Sequence, residues 1–185
     1  HLLKRITDSK LTENLLEDEL REVLIDRDEI VQDNFDKLIK KAPIIDLERT
    51  ISFEELIKQL APDIAEEINI PDKEIISLFL ERQKNFNMAV SPFLAIPHIV
   101  VKGKDKMFMR IIRSREGIYF TEKESHIKAV FLLGGTEDNR NLHLKTIASM
   151  ATLTGIESFQ KDWLSAKSGI ELKNLMILNN RKRFL

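Results

Sequence analysis

Leu94-Ala95-Ile96-Pro97-His98-Ile99-Val100, residues 94–100, is where the chain changes its periodicity. Upstream, apolar residues recur at three- and four-residue steps. From here on they come in short runs at 94–96, 106–112 and 127–133, separated by polar or glycine-containing turns. Such runs predict strands, and Gly134-Gly135 is expected to end the last of them. Downstream the helical period returns. Residues 139–153 predict a helix with Leu142, Ile147, Met150 and Ala151 inward and Gly155 as its stop. Two shorter helices, near 157–166 and 169–178, precede a basic Arg181-Lys182-Arg183 end.

Working back from residue 94, Pro71 opens a helix that carries Ile75, Ile76, Phe79 and Leu80 and runs to about Gln83. Ser52-Phe53-Glu54-Glu55 matches a capping box before a helix over 53–67, with Leu56, Ile57, Leu60 and Ile64 on one face. Residues 44–47 read as a short strand or an extended connector. Before them, Leu16, Leu20, Val23, Leu24, Val31, Phe35, Leu38 and Ala42 predict a long helix from an N-cap at Thr12 to a stop at Pro43. Residues 1–11 read as loosely ordered. Helices and strands alternate without a strict βαβ repeat. The expected fold class is therefore α/β, a mixed β-sheet flanked by helices on both faces, with an extra N-terminal helix. The division expected is an N-terminal helical extension or linker over 1–50 and a folded domain over 51–185.

Composition narrows the function classes. The 185 residues are 43% hydrophobic and 32% charged, with Lys plus Arg at 29 against Asp plus Glu at 30 and a formal net charge of -1. That balance argues against a dedicated nucleic-acid binder, which shows a basic surplus. Cysteine is absent, which removes disulfides, thiol nucleophiles and thiolate metal sites together. No apolar run approaches the roughly 20 residues needed to span a bilayer, and no signal peptide is visible, so a cytoplasmic location is expected. The chain opens on His1, not Met, and reads as a piece of a longer protein.

Histidines are the groups suited to transfer chemistry near neutral pH. His1 is terminal and His126 follows Glu122-Lys123-Glu124-Ser125, so both read as solvent-facing. His98 follows Pro97 inside an otherwise apolar segment. Proline fixes the chain direction just before the imidazole and removes a backbone donor, leaving a ring that is pre-aimed and partly shielded. Two readings compete on these residues alone, a half-buried core histidine and a nucleophile. His143 falls in the first turn of the 139–153 helix, where free N–H groups favour anions. The two rings could converge on a phosphoryl group. There is no H-E-x-x-H or comparable metal spacing, so a metal hydrolase is not expected.

Several motifs in order carry a family resemblance. Glu81-Arg82-Gln83, then Asn87-Met88-Ala89-Val90, then Leu94-Ala95-Ile96-Pro97-His98 resembles, without a gap, the E-R-E … G-I-A-I-P-H pattern of the enzyme IIA domains of the bacterial phosphotransferase system. The likeness is to the fructose/mannitol type, which includes the nitrogen-regulatory branch. Gly117-Ile118-Tyr119-Phe120 resembles that family's "G-I-x-F" step, Val130-Phe131-Leu132-Leu133 its core strand, and His143-Leu144 the "H-L" that begins the next helix. The resemblance covers roughly residues 50–155. The chain departs from the pattern at Phe93 (Gly in the family), at Asn87-Met88 (a Ser/Thr pair) and at Gln83 (Glu).

The resemblance implies a phosphoryl carrier without cofactor or metal. His98 would accept the phosphoryl group from an HPr-like phosphocarrier protein, with Arg82 and His143 as its active-site partners. Arg82 also has a plainer reading, a cation that complements a helix C-terminus. Phe93, beside the active strand, is expected to narrow the docking surface or to change which partner fits. The competing function is an interaction module that keeps the fold and works without phosphate. The 12–42 helix reads first as a solvated face folded back on its own domain. The sharper expectations for it are a homo-oligomer contact, or a link to the membrane domain of an attached transporter.

Overall fold

The computed structural model describes residues 19–25, 31–179 and 181–183. The expected N-cap at Thr12, the apolar position Leu16 and the loosely ordered 1–11 lie outside the described residues. Of the expected 12–42 helix, residues 19–25 are helical (α1), whereas 31–33 are not, and a separate helix α2 spans Asn34–Lys41. The break has a local cause. Asp33 caps α2 through a capping box, accepting from the Asp36 N–H while Asp36 accepts from the Asp33 N–H. The Asp33-Asn34-Phe35-Asp36 signal thus outweighs an apolar periodicity that already slips near Arg27.

Strand β1 (Ile44–Leu47) and strand β2 (Ile51–Ser52) follow, then α3 (Phe53–Ile68) and α4 (Asp72–Asn85). Ser52 caps α3 through the Glu55 N–H at 3.1 Å. The Glu55 carboxylate is engaged by Arg49 instead of reaching back to the cap. Then come β3 (Leu94–Ala95), β4 (His98–Val101), β5 (Met107–Tyr119) and β6 (Ile127–Thr136). Helices α5 (Arg140–Thr154), α6 (Phe159–Ser165) and α7 (Gly169–Ile177) close the chain.

The six strands form one mixed sheet in the order β1-β5-β6-β3. β1 and β2 run parallel along β5, β3 and β4 run parallel along β6, and only β5 and β6 are antiparallel to each other. Both faces are covered, as expected for the α/β class. Phe108, Ile112, Val130 and Leu132 face α3 and α4, while Met109, Ile111, Ala129, Phe131 and Leu133 face α1, α2 and α5–α7. That two-sided burial is why β6 reads as an unbroken apolar run in place of an alternation.

Three expectations change. β6 does not end at Gly134-Gly135 but runs through them to Thr136. A Cβ on Gly134 would stand 2.3 Å from Cε1 of Phe108, so that glycine lets a neighbouring ring lie against the strand. β5 extends well past 112 through Arg113-Ser114-Arg115-Glu116, a stretch polar enough to pass for a turn. Its Arg113 is fully buried, donating to both Asp46 oxygens on β1 and to the carbonyls of Trp163 and Ala166. The register shifts between Arg113 and Ile118, where Gly117 takes a φ of 111° and a Cβ would come within 2.8 Å of His126 Cα. Finally, α5 buries His143, Thr146, Ser149, Met150 and Leu153, and Ala151 faces out. Of the hydroxyls on that inner face, Thr146 donates to the Leu142 carbonyl at 2.7 Å, whereas the buried Ser149 Oγ has no partner among the described residues.

Candidate functional site

The candidate residues come from three elements. On α4 the inward stripe of Ile75 and Phe79 continues at helical spacing to Arg82 in the last turn. Phe86 ends the helix, its N–H donating to the Arg82 carbonyl. The segment leading to β4 is tied down on both sides, with the Ile96 N–H donating to the Met88 carbonyl and the Leu133 N–H donating to the Pro97 carbonyl, each at 2.9 Å. His98 then opens β4 opposite Leu133. β6 feeds a short 3-10 turn, Glu137–Asn139, and α5 presents His143 from its first turn.

The fold brings these three side chains into one cleft of about 470 Å³, whose walls also include Phe86, Thr136, Glu137, Arg140 and Leu144. His98 Nδ1 lies 2.9 Å from the Ile96 carbonyl. A carbonyl only accepts, so Nδ1 carries the proton and Nε2 holds the lone pair. That lone pair faces Arg82, whose Nη2 donates to it at 2.8 Å. The His98 and His143 rings meet edge to face at 5.6 Å between centroids and 90° between planes. His143 is buried, and its Nε2 has no hydrogen-bond partner among the described residues. Arg82 also lies over the Phe86 ring, with its guanidinium carbon 4.3 Å from the ring centroid.

Electrostatics favour neutral rings. Burial pushes the His98 pKa below its ordinary 6.5, and the Arg82 charge adds to that, while the bond to the Ile96 carbonyl works the other way. His143 is pushed down to about 4, first by burial and then by the neighbouring His98 and Arg82. The cleft therefore holds an unprotonated ring nitrogen and a guanidinium that no carboxylate among the described residues neutralises. Glu81 and Glu137 stand in its walls without an ion pair to Arg82. A small doubly charged oxyanion suits such a site. Among the described residues no group of three or more His, Cys, Asp and Glu side chains could hold a metal ion.

His126 is exposed, as expected. The departures from the family pattern all fall outside the cleft walls. Phe93 is buried with Phe131 and Trp163 in the core beneath α5–α7. Met88 fills the core on the other face of the sheet, and Asn87 accepts from the Ala89 N–H in a local turn. Gln83 donates its amide to the Phe120 carbonyl at 2.9 Å, which a carboxylate could not do. Sequence reading passed over Phe86 and Arg140. The signal was helical spacing, since Phe86 stands four residues after Arg82 and Arg140 three before His143.

The family model for the phosphoenolpyruvate-dependent sugar phosphotransferase system, EIIA 2, matches residues 37–179. The chain belongs to that family. Solved structures agree with the enzyme IIA fold. The nitrogen regulatory protein IIA-Ntr from Neisseria meningitidis superposes with a TM-score of 0.68 at 18% identity, over 78% of this chain and 99% of that one. IIA mannitol from Escherichia coli gives 0.57 at 22% identity, over 72% and 94%. A complex of Escherichia coli enzyme IIA mannitol with phosphorylated enzyme IIB mannitol gives 0.59 at 20%, over 74% and 94%. No curated protein sequence matches the chain. No described helix of this enzyme IIA domain is long and apolar enough to cross a membrane.

Proposed function

We propose that this enzyme IIA domain is a phosphohistidine carrier and that Nε2 of His98 is the atom that accepts the phosphoryl group. The supporting observation is the orientation of one ring. Its Nδ1–H is committed to the Ile96 carbonyl, and its Nε2 lone pair opens into the cleft under Arg82. In the transfer, the N–P bond of a donor phosphohistidine breaks as a new N–P bond forms at His98 Nε2. The leaving imidazole keeps the electron pair, and Nδ1 keeps its proton throughout. Phosphoryl transfer asks a protein chiefly for in-line positioning and for charge around the equatorial oxygens. Arg82 shifts from the lone pair to those oxygens, offering two donors in a fixed fork. His143, neutral and with Nε2 unpartnered, supplies a further hydrogen bond to the same oxygens.

The donor in this reading is an HPr-like phosphocarrier protein, and the acceptor is a partner that plays the part of enzyme IIB in the mannitol complex. The domain works in the cytoplasm. A link to a further part of a longer protein, a transporter membrane domain, or to a second copy runs through the residues before α2, since α2 and β1 belong to the folded body of the domain. Phe93 and Asn87, the features that would favour a phosphate-independent interaction module, do not line the cleft.

The test is to incubate the protein with phosphoenolpyruvate, enzyme I and HPr and to follow acid-labile phosphate. Wild type is expected to be labelled and His98→Ala to lose the label entirely. Labelling that persists in His98→Ala overturns the assignment, and an unlabelled wild type overturns the carrier reading.

A further inference from the structure

Phe86 is an oddity of the cleft. It is 56% exposed, although a phenylalanine at a helix end gains little by standing in water. The Phe86 ring lies under the Arg82 guanidinium carbon, 4.3 Å from centroid to carbon, while Nη2 of the same group donates to His98 Nε2 at 2.8 Å. Arg82 thus touches both the aromatic ring and the imidazole, with no carboxylate partner among the described residues. An arginine side chain carries about 2 kcal/mol of rotamer entropy, and an unpaired one at a cleft mouth would spread over several rotamers. The ring removes that freedom without neutralising the charge, which a carboxylate would do. Stacking also leaves the guanidinium free to slide in its own plane, from the nitrogen lone pair toward whatever binds there.

We infer that Phe86 is a positioning residue, holding the Arg82 guanidinium in place and charged against His98 so that it serves the phosphoryl group. This rests on the carrier reading for its consequence in transfer, but not for its consequence in the resting protein. Two measurements separate the two. The first is transfer rate from phosphorylated HPr in wild type, Phe86→Leu and Phe86→Tyr. Leu keeps an apolar cap without a π-face, and Tyr keeps the face. An exposed cation–π contact of ordinary strength predicts that Phe86→Leu is slower by about two- to five-fold and that Phe86→Tyr matches wild type. The second is a proton-NMR titration of His98 in the same three proteins, which needs no phosphate. Freed from the stack, Arg82 spends less time beside the ring, so the His98 midpoint is expected to rise in Phe86→Leu and to stay in Phe86→Tyr. If Phe86→Leu behaves as wild type in the titration, or if Phe86→Tyr behaves as Phe86→Leu, the inference is wrong. If no variant is labelled but the titrations follow the expected pattern, the positioning role stands and the carrier reading falls.

Discussion

Among the described residues two arginines lie over phenylalanine rings, Arg82 over Phe86 at 4.3 Å and Arg181 over Phe35 at 4.4 Å, and they have opposite surroundings. The Arg181 side chain is fully buried and donates to both Asp33 oxygens and to Asp36, at 2.7 to 2.9 Å, while Arg183 completes the set on Asp36. Every carboxylate there also caps α2, so the cluster ties the end of the chain to the start of a helix. Arg82 meets an imidazole and no acid. The first arrangement pairs its charges internally; the second keeps a cation with no carboxylate counter-ion among the described residues. The difference teaches that burial and stacking alone do not single out an arginine for a ligand; the missing carboxylate is what supports the role proposed for Arg82.

Loss of His98 is the largest effect expected on transfer, since it removes the proposed acceptor atom and with it all acid-labile label, while the Arg181 cluster is unchanged. Next comes Asp36→Ala. It strips a fully buried partner from Arg181 and Arg183 and is expected to cost about 3–5 kcal/mol in urea unfolding, with His98 titrating as before. If that variant unfolds like wild type, the internal cluster is not the structural element described. Arg82→Ala is expected to slow transfer about 10- to 100-fold, the value of one charge-assisted hydrogen bond. Its unfolding should move by no more than about 1 kcal/mol, as for a helix-end cation. A large loss of stability in Arg82→Ala would erase the contrast between the two arginines.

Most gradual is the pH dependence. Both cleft histidines titrate lower in the folded protein than in the unfolded chain, where 6.5 is ordinary, so the unfolded chain binds protons first as pH falls. Stability is therefore expected to decline from pH 6.5 downward, with a slope of up to about 1.4 kcal/mol per pH unit for each histidine. The His143 share levels off near its folded value of about 4. Denaturant midpoints measured across that range, with His143→Gln as reference, check the sign. The slope should be shallower in His143→Gln.

Short apolar runs and 3.6-period stripes were enough to give the α/β class with helices on both faces, because a strand buried on both faces and a helix buried on one leave different local patterns. The motif from Arg82 to His98 was legible for a related reason. Its proline, its helix stripe and its spacing act within 17 residues of chain and carry the family pattern, while pairing of β4 with β6 fixes where the imidazole meets the guanidinium. Elsewhere local pattern misled. Arg113-Ser114-Arg115-Glu116 reads as a turn, yet it continues β5 because Asp46, from a strand far away in sequence, neutralises Arg113 inside the sheet. Gly134-Gly135 reads as a stop, yet β6 passes through it because the Phe108 ring on β5 occupies the space a Cβ would need. Which face of α5 turns inward, and hence the meeting of His143 with His98, was decided by where β6 delivers the chain. So was the sorting of two stacked arginines into one that is neutralised and one that is not. A side chain's partners set its charge balance, and those partners came together only when the chain closed on itself.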